Sequence, residues 1–293
     1  MHYIKLIWTY LQKLYANKDT MWLVIWLLGT GFLWIWNHTF LNYPAFVQIQ
    51  TAFINTALIS IICIIFSLVM SWSLAVTLHF LPQTPAHFLM LPITFLLNLI
   101  RSIPQIIGIL GGYVLVTILV RNEIIQSRFL IILLMATIIS VFIFLELVDL
   151  IRERIGHYQK LDFFNAMLCC GIKESRIINI EILWKNSLIH IMNKLIAIFG
   201  ITIFLQCSVD FIISVGLSTD VNPVNLPITL GSMLAKIDSK QDILAIGYTL
   251  THPNYLSNLF YLHLQGLTTA FLIVFSLLSI YQISNGYARR HQI

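Results

Sequence analysis

Charged residues are scarce in this sequence. They make up 10% of its 293 residues, whereas hydrophobic residues make up 58%. Soluble globular domains usually contain about 25% charged residues. The composition therefore excludes an ordinary soluble domain and indicates a chain that spends most of its length in hydrocarbon.

The sequence also lacks the motifs of several enzyme classes. No Gly-x-x-x-x-Gly-Lys sequence occurs, so any ATP that drives this protein must be bound by another chain. The nine histidines never form a His-x-x-x-His or His-Glu-x-x-His pair, and we expect no metal site. The four cysteines show no metal-ligand spacing, and we expect free thiols at Cys63, Cys169, Cys170 and Cys207. We therefore predict a non-catalytic chain without a cofactor of its own.

Long apolar runs are what the sequence has in abundance. Six runs are long enough to cross a hydrocarbon core of roughly 30 Å as helices; they lie near 20–40, 52–79, 88–119, 128–150, 191–214 and 264–285. The third run is too long for one straight span, and Arg101 and Pro104 predict that it is broken or starts outside the hydrocarbon. The runs are continuous rather than alternating, which excludes a transmembrane β-barrel. We predict an all-α integral membrane protein with about six transmembrane helices.

The basic residues predict the orientation of these spans, because cytoplasmic loops are enriched in Lys and Arg. With the N-terminus inside, four basic residues fall outside: Arg121, Arg128, Lys236 and Lys240. Twelve fall on the cytoplasmic side: Lys5, Lys13, Lys18, Arg152, Arg154, Lys160, Lys173, Arg176, Lys185, Lys194, Arg289 and Arg290. This asymmetry predicts that both termini are cytoplasmic, and it explains the net charge of +5 without nucleic-acid binding.

The chain is predicted to form one transmembrane domain, residues 20–293, after an N-terminal segment, residues 1–19. The apolar positions of the N-terminal segment recur on one helical face, which is typical of an amphipathic helix at the inner membrane surface; a disordered leader is the alternative. Residues 216–262, the external segment, contain a loop at 218–223 and a stretch with helical periodicity at 228–237. This segment is predicted to fold back against the outer mouth of the bundle, as a gate or as a structural cap.

Three ionisable residues lie within or near the predicted hydrocarbon region: Arg101, Glu146 and Asp210. A lone charge there costs at least ~2.5 kcal/mol, so each should face a partner or a wet cavity. Glu146 and Asp149 share a helical face, and either could reach Arg101 if the third and fourth spans pack together. The two interpretations that remain open are structural pairing and contact with a transported substrate.

Small polar residues follow one face of the second span. Thr56, Ser60, Cys63, Ser67 and Ser71 are separated by four, three, four and four residues. Such a stripe allows two helix backbones to approach closely. It could equally form one wall of a translocation path, for which Ser60, Ser67 and Ser71 are candidates.

Residues 151–190, between the fourth and fifth spans, do not resemble an ordinary loop. An apolar-periodic stretch ending at Cys170 is separated by Gly171 from a second helical stretch, residues 172–183. Glycine accepts the positive φ that ends one helix and begins another at a sharp angle. We expect two short helices that either dock on a partner in the cytoplasm or lie on the inner membrane surface.

Residues 162–184 resemble the cytoplasmic signature of membrane permease subunits of bacterial ABC importers, especially the dipeptide/oligopeptide permease group. That signature reads Glu-Ala-Ala, three residues, Gly, nine residues, then Ile-x-Leu-Pro. Here Asn165-Ala166-Met167 takes the first place, Gly171 has the glycine's spacing, and Leu183-Trp184 takes the place of Leu-Pro. Asp162 and Phe163 look like the acidic-aromatic lead-in of that family.

Other parts of the chain resemble the same family. Ile103-Pro104 is similar to its Ser-Ile-Pro element, and Leu230–Leu234 is similar to its external Gly-x-Met-Leu helix. Residues 285–290 resemble its C-terminal tail. Residues from about 52 to 290 can be placed on the pattern. The first external loop, predicted at roughly residues 37–51, is shorter than in peptide permeases.

The resemblance implies a type I ABC importer permease-like bundle in the bacterial cytoplasmic (inner) membrane. It implies a second permease subunit, two cytoplasmic ATPase subunits that bind ATP and Mg²⁺, and an extracytoplasmic solute-binding protein that delivers a peptide or similar solute. The residues implied in coupling to the ATPase are Asp162, Phe163, Phe164, Asn165, Ala166, Gly171 and Leu183. A self-contained secondary transporter or channel is the alternative, and an intramembrane enzyme is a third class.

Overall fold

A computed structural model describes residue 15, residues 17–217 and residues 226–291, and no β-strand occurs among them. In chain order the helices are α1 (Lys18–Phe40), α2 (Tyr43–Phe80), α3 (Met90–Ser102), α4 (Gln105–Arg121), α5 (Arg128–Gln159), α6 (Asp162–Cys169), α7 (Leu188–Leu217), α8 (Leu230–Leu234), α9 (Ile237–Thr251), α10 (Leu256–Leu262) and α11 (Leu264–His291). Within the described residues, five helices are long and apolar enough to cross a membrane, or six with one bent pair. The prediction of an all-α chain with about six long apolar helices is confirmed.

The third apolar run is broken, as Pro104 predicted. The helices on its two sides, His87–Ser102 and Gln105–Arg121, meet at an angle of 97°. Pro104 has no N–H to continue a helix, and Ile103 before it takes extended angles, φ −86° and ψ 125°. The 17 residues of α4 are about 25 Å long, shorter than the hydrocarbon core. The run is therefore not one straight span.

The first two spans are joined by a tighter link than the sequence suggests. Residues 37–51 read as a short loop, but this interpretation is wrong, because only Leu41 and Asn42 separate α1 from α2. Pro44 lies in the first turn of α2, where the missing proline N–H breaks no helical hydrogen bond. With 38 residues, α2 is about 57 Å long and extends well beyond a hydrocarbon core.

The core lies where α2, α5 and α7 pack together. Its fully buried side chains include Ile59, Ile139, Ile143, Leu147, Ile198 and Val209. Helix α4 approaches α5 closely at two glycines: a Cβ on Gly108 would lie 2.2 Å from the Phe142 ring, and one on Gly112 would lie 2.4 Å from Ile138. Gly111 faces open space. Two of the three glycines in this run are therefore close-packing sites.

The first and last helices run antiparallel against each other. Trp26 Nε1 donates to Ser276 Oγ at 3.0 Å, and Arg290 Nη1 lies 3.1 Å from Asp19 Oδ2. The start of α1 and the end of α11 therefore lie side by side at one end of the bundle. Most of the predicted N-terminal segment, residues 1–14 and 16, lies outside the described residues.

Residues 151–190 are helical almost throughout. Helix α5 extends to Gln159, α6 follows, and a three-residue α-helix at Glu174–Arg176 leads into a π-helix at Ile177–Asn186. We call the end of the bundle that bears residues 151–190 the inner end, and the opposite end the outer end.

The external segment folds back on the outer end of the bundle, as predicted. Its helices α8, α9 and α10 are shorter than the apolar spans, and the predicted helix at 228–237 is divided into α8 and the start of α9. The predicted loop at 218–223 lies outside the described residues.

Candidate functional site

Gly171 ends α6 with a hydrogen-bonding pattern that only a left-handed residue permits. Its φ is +78°, its N–H donates to the Leu168 carbonyl at 2.9 Å, and the Ile172 N–H donates to the Met167 carbonyl at 3.2 Å. This pair of bonds is the Schellman motif, which closes a helix and turns the chain sharply. The predicted role of Gly171 as a helix-ending turn is confirmed.

The second helical stretch is a π-helix, which the sequence reading missed. Four of its side chains are fully buried: Ile177, Ile178, Ile182 and Leu183. They form two pairs that are five residues apart. Residues five apart stack on one face when the hydrogen bonds run from i to i+5, so this spacing was the available signal.

Polar contacts hold residues 151–190 against the inner end of α2. Trp72 Nε1 donates to Asn179 Oδ1 at 2.8 Å, and His79 Nε2 lies 3.0 Å from Glu174 Oε1. Gln159 Nε2 is 3.3 Å from the same nitrogen of His79. The segment is therefore attached directly to the inner end of α2.

The residues implied in coupling fall into two groups. Phe164 and Leu183 are buried against the bundle, so they anchor the segment and do not face outward. Asp162, Phe163, Asn165, Ala166 and Gly171 are exposed. The exposed side chains of the segment include five large apolar ones: Leu161, Phe163, Leu168, Ile180 and Trp184, which is 61% exposed.

The two charges near the break in the third run have different partners. Arg101 Nη2 pairs with Asp149 Oδ1, whereas Glu146 Oε2 binds Lys194 Nζ at 2.7 Å. Gln105 Nε2 also lies 3.3 Å from Glu146 Oε1. Of the two acidic residues that the sequence placed near Arg101, Asp149 is the partner. Arg101 and Glu146 therefore each have an ion-pair partner within the chain, and their contact with a transported substrate stays a prediction.

The polar stripe of α2 faces the interior of the bundle, as its spacing predicted. Ser60, Cys63, Ser67 and Ser71 are fully buried. Ser71 Oγ donates to the Phe144 carbonyl of α5 at 2.8 Å, so this end of the stripe is in helix-packing contact.

Farther toward the outer end, the stripe meets polar residues of α7. Ser60 Oγ lies 3.2 Å from Gln206 Oε1, and Cys63 Sγ lies 3.7 Å from Thr202 Oγ1. Thr202, Gln206 and Asp210 were not recognised as one set, although their four-residue spacing places them on one helical face. Together with the outer half of the α2 stripe they form a buried polar seam between α2 and α7.

The external segment covers the outer end of this seam. Asn55 Nδ2 donates to the Ile228 carbonyl at 2.6 Å, and the Leu230 N–H donates to Thr56 Oγ1 at 3.0 Å. Thr229 caps α8 through a reciprocal pair of hydrogen bonds with Ser232. Residues 228–232 therefore lie over the outer end of the seam.

The described residues contain no group of three or more His, Cys, Asp and Glu side chains that could hold a metal ion. All four cysteines are free; Cys63 and Cys207 are buried, and Cys169 and Cys170 are exposed. Comparison of the chain with protein-family models, curated proteins and solved structures finds no match. The fold is a bundle of long apolar helices with a buried polar seam. Hydrogen bonds attach its inner segment, residues 151–190, to α2.

Proposed function

We propose that this chain is a permease subunit of an ATP-driven type I ABC importer, and that it forms part of the translocation path for a peptide or similar small solute. The observation that supports this proposal most is the inner segment, residues 151–190, which combines exposed apolar side chains with a rigid attachment to the bundle. The resemblance of its sequence to the permease signature supports the same function.

The exposed apolar side chains favour a protein partner. Leu161 and Phe163 are 40% and 39% exposed beside Lys160 and Asp162, whose charges favour water over hydrocarbon. Full burial of an exposed side chain of this size gains roughly 1.5–3 kcal/mol, and the exposed two fifths of each of these side chains forgo a corresponding part of it. An ATPase subunit that received α6 in an apolar groove would recover part of this free energy.

The attachment of the segment supports a mechanical role. The Schellman turn at Gly171 fixes the angle between α6 and the helical stretch that follows, and Leu183 and Ile182 anchor that stretch in the core. A force on α6 would therefore move the inner ends of α2 and α5 rather than bend a loop. In an alternating-access cycle, closure of two ATPase subunits with ATP and Mg²⁺ would supply this force.

A second, similar permease would complete the path, and an extracytoplasmic solute-binding protein would deliver the solute at the outer end. The bacterial cytoplasmic membrane, with both termini inside, is the proposed location, since the inner segment holds much of the chain's excess of basic residues.

The experiment is affinity purification of the chain from its native membrane in mild detergent, followed by identification of the proteins that co-purify. We expect an ATPase in stoichiometric amount with the wild-type chain and its loss with Gly171→Val, because valine is strained at a φ of +78°. Gly156→Val is the matched control, since Gly156 lies in α5 with open space around its Cβ position.

Two outcomes contradict the proposal. Recovery of the chain alone in several detergents would favour a self-contained transporter or channel. If the Gly171 and Gly156 variants retained the ATPase equally, the proposed role of the inner segment in coupling would be contradicted.

A further inference from the structure

A cavity with apolar walls lies between α1, α2, α7 and α11, and Leu230 of α8 also lines it. It encloses 610 Å³, a volume typical of sites that hold a small ligand. Its described lining residues include three with hydroxyl groups, Thr56, Ser276 and Ser279, and none with a charge; the others are apolar or aromatic. We call this cavity the apolar groove.

The hydroxyl groups of the apolar groove offer little to a polar ligand. Thr56 Oγ1 accepts from the Leu230 N–H, and Ser276 Oγ accepts from Trp26 Nε1. The Ser279 hydroxyl has no partner among the described residues. A cavity lined in this way stays free of water and binds apolar molecules. A hydrocarbon therefore suits the groove, whereas a polar solute does not.

The length of the apolar groove matches one leaflet of a bilayer. Its lining residues extend from Met192 to Ile203 on α7 and from Leu272 to Ile283 on α11. Each of these stretches makes about three helical turns and is about 16 Å long. One leaflet contributes half of the hydrocarbon core, about 15 Å. One acyl chain of a lipid would therefore fill the groove from end to end.

Three helix ends meet at the inner end of the bundle beside the groove. Ser284 Oγ donates to Asn193 Oδ1 at 3.1 Å, so α11 ends where α7 begins. Arg290 Nη1 binds Asp19 Oδ2, which places the start of α1 at the same level. The apolar groove therefore has one end that faces the inner end of the bundle.

Basic side chains lie just beyond that end of the groove. Lys18 and Arg289 are both exposed. Lys18 precedes the lining residue Leu23 by five positions, and Arg289 follows Ile283 by six, distances of about 8 and 9 Å along the helix axes. The headgroup region adds about 5–8 Å on each side of the hydrocarbon core. These two cations therefore lie at the level of lipid phosphates.

The side of the groove between α1 and α2 is open to a hydrocarbon chain but too narrow for another helix. Leu27 of α1 and Ile61 of α2 line the groove and are 53% and 48% exposed. The rings of Trp26 and Phe53, on the same two helices, are stacked 6.5 Å apart. Packed helices need about 8–10 Å between their axes, so a third helix cannot pass between α1 and α2.

We infer that the apolar groove binds one acyl chain of an anionic phospholipid, whose phosphate is bound by Lys18 and Arg289 at the inner end of the bundle. The chain's terminal methyl group then lies near Ile203 and Leu272. This lipid is a structural ligand that fills the space between α1 and the other helices. The inference goes beyond the proposed transport function, since the lipid is not the solute.

The test uses the full chain with its co-purifying partners in phosphatidylcholine vesicles. The vesicles contain a trace of phosphatidylglycerol with a photoreactive diazirine near the end of one acyl chain. Labelled peptides are identified after illumination, with and without an excess of unlabelled phosphatidylglycerol at constant total lipid. We expect labelling near Ile203 and Leu272 that the excess removes. Labelling at Leu115, which is 63% exposed on α4, should stay unchanged, because bulk lipid contacts it.

Ala57→Phe tests the groove itself, since Ala57 is a small residue on its wall. The larger side chain should fill the space and abolish the competed labelling. Leu58→Phe is the matched control, because Leu58 is 44% exposed and does not line the groove. If Ala57→Phe does not fold, Ile61→Trp narrows the groove from its exposed side; Ile65→Trp, at a 53% exposed position outside the groove, is its control.

A second pair of variants tests the headgroup. Lys18→Gln combined with Arg289→Gln should raise the amount of unlabelled phosphatidylglycerol needed for competition about tenfold, because each basic residue near an anionic surface adds to lipid binding. Arg152→Gln combined with Lys173→Gln removes the same charge from other exposed positions of the inner end, and it should leave the competition unchanged.

Three outcomes would overturn the inference. Labelling near Ile203 and Leu272 that excess phosphatidylglycerol does not reduce would mean that the groove has no preference for an anionic lipid. Equal competed labelling in the Ala57 and Leu58 variants would place the lipid outside the groove. Absence of lipid labelling there, with cross-links from the groove to a co-purified protein, would assign the groove to a protein partner. None of these outcomes depends on whether an ATPase co-purifies, which tests the permease function separately.

Discussion

Gly231 of α8 is in direct backbone contact with Cys207 of α7: a Cβ on Gly231 would lie 2.3 Å from the Cys207 carbonyl oxygen. Because the contact is with main chain, no side-chain rotation can relieve it. Gly231→Ala should therefore lift the external segment from the bundle and cost about 1–3 kcal/mol, as overpacking does. The measurement is the apparent unfolding temperature, together with hydrogen exchange of residues 226–236.

The control for Gly231 is Gly247→Ala in α9, where an added Cβ meets nothing. A Gly231→Ala protein as stable and as protected from exchange as the Gly247→Ala protein would contradict the close contact of α8 and α7.

The ion pair of Arg101 and Asp149 joins the end of α3 to α5. Both side chains are partly exposed, 44% and 55%, so the pair contributes at most about 1 kcal/mol in water. Arg101→Asp alone should destabilise the chain, and Arg101→Asp combined with Asp149→Arg should restore much of the loss. A double-mutant cycle on unfolding measures the coupling.

The specificity of this pair is tested by exchanging the charges of Arg101 and Glu146 instead. Since Glu146 already binds Lys194, this exchange should restore nothing. Recovery in Arg101→Glu with Glu146→Arg would show that the partner of Arg101 is Glu146.

Trp72→Phe should loosen the inner segment while leaving the bundle intact. The change keeps an aromatic ring but removes the Nε1 donor to Asn179, a hydrogen bond worth about 0.5–1.5 kcal/mol. We expect faster hydrogen exchange in residues 172–187 and unchanged exchange in α11. Trp184→Phe is the control, because Trp184 is 61% exposed; equal acceleration by both changes would argue against a specific clamp.

Thiol labelling separates the four cysteines by burial and tests the orientation of the chain. Cys169 and Cys170 are exposed and should react with a maleimide, whereas the buried Cys63 and Cys207 should react only after unfolding. With an impermeant reagent, labelling should occur in inside-out vesicles but not in intact cells. If the impermeant reagent labelled Cys169 or Cys170 in intact cells, the proposed orientation of the chain would be contradicted.

The features predicted well are those with local causes. Continuous apolar runs predicted the long helices, and the missing N–H of Pro104 predicted the break in the third run. The turn at Gly171 followed from the freedom of glycine at positive φ. In each case the physical cause lies within a few residues of the feature.

The features that were missed depend on distant packing. Residues 43–51 contain Pro44 and polar side chains and read as a loop, yet they are helical and pack against α1 through Phe46 and Trp34, whose rings are 5.6 Å apart. Asp149 and Glu146 share a helical face, so only the 97° bend that positions Arg101 selects between them. Likewise, no local pattern separates the buried Phe164 from the exposed Phe163.

Because α2 is long, one helix contacts both the external segment and the inner segment. Near its start, Asn55 and Thr56 hold the external segment; near its end, Trp72 and His79 hold the inner segment. About 36 Å of unbroken helix separates Asn55 from His79. Because no break interrupts this helix, a shift of α2 along its axis would move its contacts with both segments together.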